Sequence, residues 1–157
     1  MVKVTKLHLK KYLTGVCVSV LVPMFKTVLF PVDMSPEAKQ AAAVAVDIVK
    51  HHQSRLVLLS VVETAGDSAA SAEQASPQAV AQLLAQVKDM FAQQGIESET
   101  IEKQGQPAFV ICDVADEQEA DLIVMGCRGV GLIEDHQDES VTMRVINLSP
   151  CPVLVVP

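Results

Sequence analysis

The sequence predicts a single α/β domain, a doubly wound, five-stranded parallel sheet with helices on both faces. Three observations carry that prediction. Short apolar runs rich in β-branched residues alternate with segments of helical composition, from KTVLFPV at the start to CPVLVVP at the end. Two of the runs, RLVLLSVVE and DLIVMG, are apolar on both faces, as strands covered on both sides must be. A chain of 157 residues with 50% hydrophobic content can bury one real core and has no room for a second.

The folded pattern begins at Met24. Residues 1–23 contain Lys3, Lys6, Lys10 and Lys11 and no acid, followed by an apolar run over 12–22. This resembles a signal peptide, but Val20, Val22 and Pro23 stand where a small-x-small cleavage site would be, and the run is too short to cross a bilayer. The segment breaks the strand patterning that follows, so it is expected to be an extension outside the fold. A membrane-targeting segment and a structural helix are the alternatives. The domain is placed at 24–157.

Within it, residues 26–32, KTVLFPV, read as a buried strand despite Pro31, with Asp33 directly after. Residues 35–52 read as a helix, because Ser35 is an N-cap, Pro36 takes the first helical position and the body is alanine-rich. His51 and His52 suit its carboxyl end, where they complement the helix dipole rather than form a metal pair. Residues 55–63 are the second strand. The small polar stretch 64–77 reads as a mobile loop, and 79–95 as a helix stopped by Gly95. IESETIEKQG, 96–105, alternates apolar and polar residues and fits a more exposed third strand. Pro107 opens a third helix, residues 121–126 form a fourth buried strand, and SVTMRVINLS, 140–149, is a short fourth helix. The proline-flanked CPVLVVP is the last strand, expected at the sheet edge.

Composition removes several function classes. Aromatic residues make up 3% of the chain and Trp is absent, so base-stacking platforms and aromatic cages are excluded. Outside the basic extension, residues 24–157 carry 8 basic and 19 acidic side chains, a balance of −11. Such a body repels nucleic acid and anionic membrane. Cys17, Cys112, Cys127 and Cys151 fit neither a disulfide framework nor a zinc site, and a reducing cytoplasm is the simplest setting. No Ser/His/Asp triad, supported carboxylate pair or GxxxxGKS sequence is present, so no catalytic residue and no metal ligand is assigned.

Doubly wound sheets bind ligands beyond the carboxyl ends of their strands, where the connections diverge. The candidates are therefore Asp33, Val61 to Glu63, and the stretch from Gly126 onward. Glycines in that stretch would let backbone N–H groups approach a phosphate, and the helix after it would add its positive N-terminus.

Asp33 with Ser35, GQPAFVI at 105–111, ADLIVMGCRG at 120–129 and SPCPVLVVP at 149–157, in this order around five strands, resemble the universal stress protein family. The resemblance covers essentially all of 24–157. It implies an adenine nucleotide alpha hydrolase-like fold, a cytoplasmic, dimeric stress-response regulator, and ATP as ligand with or without magnesium. ATP-binding members share Gly, two residues, Gly, nine residues, then Gly followed by Ser or Thr. Here Gly126 and Gly129 match, nine residues follow, and Glu139 with Ser140 closes the pattern, so Glu139 replaces a glycine. The resemblance then implies binding residues Asp33, Val61, Met125, Gly126, Arg128, Gly129, Ser140 and Val141. Asp33 would meet the ribose or adenine edge, Val61 the adenine, and Ser140 with Val141 the phosphates. Arg128 would neutralise phosphate, or pair with Asp33 or a loop carboxylate. The family also implies a homodimer through antiparallel pairing of the last strand, beside a protein partner of unknown identity.

The acidic run opposes this cradle. A carboxylate about 6 Å from a phosphate charge costs about 3 kcal/mol at an effective dielectric of about 20, and Glu134, Asp135 and Asp138 add to Glu139 if they face inward. A solvated helix start, exclusion of triphosphate and a cation bridging carboxylates and phosphate are the open readings. Three functions stand: an adenine-nucleotide binding module, a protein-interaction domain without nucleotide, and a slow ATP-hydrolysing enzyme.

Overall fold

Strands and helices alternate in the order β1 (Thr27–Pro31), α1 (Pro36–His52), β2 (Arg55–Val62), α2 (Pro77–Gln93), β3 (Ser98–Gln104), α3 (Pro107–Glu117), β4 (Leu122–Gly126), α4 (Val141–Leu148) and β5 (Val153–Val156). The computed structural model describes residues 24–33, 35–62, 77–127 and 140–157. The expected extension over 1–23 and loop over 64–76 lie outside these residues. The five strands form one parallel sheet in the order β3-β2-β1-β4-β5, the predicted doubly wound arrangement.

The alternation of side chains along the strands splits the core into two layers. Val28, Phe30, Leu56, Leu58, Leu122 and Val124 pack against α1 and α2. Leu29, Val57, Leu59, Ile123 and Met125 pack against α3 and α4. Phe30 meets Phe91 of α2 edge to face at 5.9 Å between ring centres, the largest fully buried pair in the molecule's described residues. Truncating Phe30 to alanine would cost about 3–5 kcal/mol.

The helix ends follow the local signals. Ser35 caps α1 by accepting from the Ala38 N–H at 3.2 Å, and Lys50, His51 and His52 fill the last turn. His52 also packs edge-on against Phe25, at 5.1 Å between rings. Gly95, with φ +76°, takes the left-handed conformation just past α2 that glycine adopts without a Cβ penalty. α2 begins at Pro77, two residues before the apolar periodicity suggests. The Ser76–Pro77 pair in the sequence is the same kind of start signal as Ser35–Pro36.

Pro31 is tolerated in the central strand for a geometric reason. Val32 donates to Leu59 of β2, so the backbone of Pro31 faces β4, and the β1–β4 ladder has already ended at Leu29↔Ile123. Pro31 has no N–H to extend that ladder, so the proline sits where β1 and β4 part. At the opposite end of these strands, Asp121 Oδ2 accepts from the backbone N–H of Lys26 at 2.8 Å and of Thr27 at 2.9 Å. Its own N–H donates to the Thr27 carbonyl, so one residue fastens β4 to β1. Among the described residues no helix is long and apolar enough to cross a membrane.

Candidate functional site

β1 and β4 are neighbours, but α1 leaves β1 for one face of the sheet and α4 leaves β4 for the other. A crevice opens where the two connections part, at the carboxyl ends of these strands. Asp33, Gly126, Ser140 and Val141 all stand at this divide, with Val61 at the end of the adjacent β2.

Gly126 joins the two sides. A Cβ placed on it would lie 3.0 Å from the Glu37 Cβ and 3.2 Å from the Glu37 carbonyl carbon, so the first turn of α1 rests directly on its backbone. On the other side, the Thr142 hydroxyl donates to the Gly126 carbonyl at 3.1 Å. The starts of α1 and α4 therefore meet at one residue. Close packing of α1 favours glycine here whatever the loop binds, so the first glycine of the spacing pattern is also a packing residue.

The start of α4 is organised for an acceptor. Ser140 Oγ accepts from the Met143 N–H at 3.2 Å, and the Ser140 carbonyl accepts from Arg144 at 3.0 Å. Val141 and Thr142, in the first turn, have no intrahelical acceptor for their N–H groups, and the helix dipole adds partial positive charge. The Ser140 hydroxyl proton is still available, because its cap bond uses a lone pair.

Asp33, half-buried, lies just past β1. Its Oδ1 accepts from the Ser35 N–H at 3.0 Å and from the Ser35 hydroxyl at 2.5 Å. Val61 and Val141 are half-buried and pack on the α3–α4 layer. Met125 is 7% exposed, so its side chain belongs to the core and only its backbone can face a ligand. Arg128, Gly129 and the acidic residues from Glu134 to Glu139 lie outside the described residues. Sequence reasoning missed Thr142 and Glu37. Thr142 is one of four buried polar residues among those described, with Thr27, Ser35 and Ser60. Its position two residues after a serine cap is the signal that could have found it. Glu37 brings a further acid to the crevice.

Among the described residues no group of three or more His, Cys, Asp or Glu could hold a metal ion. Cys112, Cys127 and Cys151 are free thiols, and burial pushes those of Cys112 and Cys151 above the usual range, away from nucleophilic thiolate. A groove of about 690 Å³ at the far end of the sheet is lined by Lys50, Arg55, Glu97 and Glu99. Its cations are engaged, Lys50 by Gln94 and Arg55 by Glu99.

A sequence profile of the universal stress protein family matches residues 24–157. Over 136 residues the chain is 60% identical to universal stress protein Sll1654 of Synechocystis sp., spanning 85% of this chain and 87% of that protein. A universal stress protein of Thermus aquaticus is 35% identical over 136 residues, spanning 85% of this chain and 99% of its own. Among solved structures, universal stress protein UspA from Lactobacillus plantarum matches with a TM-score of 0.69 at 30% identity, covering 84% of this chain and 97% of that one. A universal stress protein in complex with cAMP matches with a TM-score of 0.69 at 23% identity, covering 85% and 98%.

Proposed function

The chain belongs to the universal stress protein family, and from that premise we propose that it is a dimeric, non-catalytic regulatory protein that binds an adenine nucleotide in the crevice between β1 and β4. One observation carries the reading: Thr142 ties the start of α4 to Gly126, so the free N–H groups of that helix and the Asp33 carboxylate flank the same divide. The helix start suits phosphate, and the carboxylate suits sugar hydroxyls or an adenine amino group. Proteins of this fold are known in complex with cAMP, dAMP and AMP. Each of these ligands carries a single phosphate group, which a single helix start can accommodate.

The acids at 134–139, with Glu37, favour a nucleotide with a short phosphate chain over ATP. They also support a second reading, a protein-interaction domain that binds no nucleotide. Calorimetry with adenosine, AMP, ADP and ATP, with and without magnesium, separates the two. Binding is expected to weaken as phosphates are added, and Glu139→Gly to tighten ATP about tenfold, equivalent to about 1.4 kcal/mol, while leaving adenosine unchanged. Absence of all four ligands would favour the interaction domain. Equal ATP affinity in the wild type and the Gly variant would mean that Glu139 faces water.

The proposed dimer joins two copies through β5. Leu154 on the strand and Met143, Ile146 and Leu148 on the adjoining helix are exposed apolar side chains, and an unpaired apolar edge recruits a strand.

A further inference from the structure

We propose that Ser35 is a positioning residue for the nucleotide site, its hydroxyl clamping the Asp33 carboxylate in one orientation so that Oδ2 meets the nucleoside. The inference rests on the adenine-nucleotide reading and adds to it a residue that the ligand never touches.

Ser35 is 6% exposed, and its single hydroxyl joins two neighbours. It lies 2.5 Å from Asp33 Oδ1 and 3.2 Å from the Ala38 nitrogen. The direction of each bond is forced. An amide N–H can only donate and a carboxylate can only accept, so the hydroxyl proton is committed to Asp33 and a lone pair to Ala38. The Ser35 backbone N–H adds a second bond to Oδ1 at 3.0 Å. Both bonds fall on the same carboxylate oxygen, and Oδ2 takes no part in either.

The anchor is itself fixed. Ser35 is the N-cap of a 17-residue helix, with extended backbone angles of φ −71° and ψ 151°. The first turn of that helix rests on Gly126, so the orientation of Asp33 is referenced to β4 as well as to β1. A carboxylate held in this way pays little entropy when a sugar hydroxyl or an adenine amino group donates to it. A free aspartate in a strand-to-helix turn would sample several rotamers and bind more weakly.

The test separates the clamp from the cap. Ser35→Thr keeps both hydroxyl bonds. Ser35→Gly removes the hydroxyl but leaves a well-tolerated N-cap residue. Three-bond NMR couplings of Asp33 report its χ1 angle without any ligand, and calorimetry uses adenosine as the probe. In the wild type and Ser35→Thr, Asp33 is expected to occupy one rotamer, and in Ser35→Gly to average over several. Adenosine affinity should fall about tenfold in Ser35→Gly, the scale of a lost charge-assisted hydrogen bond, and stay within about twofold in Ser35→Thr. In an Asp33→Asn background, Ser35→Gly should weaken adenosine no further, because residues acting through one another are not additive. Unchanged couplings in Ser35→Gly would overturn the clamp, and so would an equal further loss in the Asp33→Asn background, which is the result of a merely structural role. If the wild type shows the locked rotamer and binds no adenosine, the nucleotide reading falls while the clamp itself is upheld.

Discussion

β3 and β5 are the two edges of the same parallel sheet, and they are built differently. β3, SETIEKQ, turns charged side chains outward and is bound to its neighbours by ion pairs. Arg55 Nε meets Glu99 at 2.8 Å, its other nitrogen reaches Glu99 and Gln118, and Lys103 meets Glu117 of α3 at 2.6 Å. β5, VLVV, has no charged side chain and adjoins exposed Met143, Ile146 and Leu148. Charge along an open edge discourages a further strand, whereas an uncharged edge invites one. The contrast teaches that composition closes one end of the sheet to a further strand and leaves the other open to one.

The largest expected effect comes from placing charge on the open edge. Val155→Lys would put two like charges together across the proposed two-fold, which costs several kcal/mol, so self-association should weaken by about a hundredfold or more. Sedimentation across a concentration series measures it. A wild type that stays monomeric at high concentration would remove the functional half of the comparison.

The converse change sharpens it. Replacing Glu99, Glu102 and Lys103 together with valine gives β3 an edge like that of β5. The variant is expected to aggregate or form larger assemblies, visible by light scattering, while keeping the far-ultraviolet circular dichroism of the folded sheet. A soluble variant of unchanged size would show that β3 is guarded by its surroundings rather than its charges.

The smallest effect belongs to the ion pair. Arg55→Ala should lower Tm by no more than about 3 °C, and the difference should shrink in high salt. The hydrogen bond from Arg55 holds the Glu99 carboxyl below its usual range. A depressed carboxyl stabilises the fold above the unfolded value, about 4.3, and that contribution is lost as pH falls through the folded value. The melting curves of the wild type and Arg55→Ala should therefore converge only once the pH has fallen below the depressed folded value.

How much of this could be read in advance depended on the distance between partners. The Ser35–Pro36 helix start, the Gly95 stop and the exposed alternation of β3 are local signals, and each element formed where its residues indicated. The doubly wound parallel sheet followed from that patterning and the handedness of crossovers, whereas the spatial order β3-β2-β1-β4-β5 came only with the structure. The candidate crevice was legible as positions along the chain and much less as contacts. Asp33 and Ser140 were identifiable, but the link from Thr142 to Gly126 spans 16 residues, and the packing of Glu37 on Gly126 joins distant elements. Neither leaves a periodic trace in the sequence. The glycine spacing pointed to phosphate, whereas Gly126 is also favoured by the helix lying on it. Met125, next to it, resembled a cleft residue because the chain reaches the crevice there, yet strand alternation turns its side chain into the core.

The Asp121 fastening has a consequence for how the protein is made. It joins residues 94 and 95 positions apart, so β1 leaves the ribosome long before the strand that will lie beside it. At about 5–20 residues per second, β1 waits roughly 5–20 s for β4. β2 arrives much sooner, and with α1 it can shelter one side of β1 as a local unit. The entropic penalty of closing the long loop grows only with the logarithm of its length, so the delay is set by synthesis more than by search. A nascent chain halted before Asp121 has both Asp33 and Ser35 but neither β4 nor α4, and it should retain no adenosine. On the proposed nucleotide reading, ligand would therefore stabilise only the finished domain and give no help to a chain still being translated.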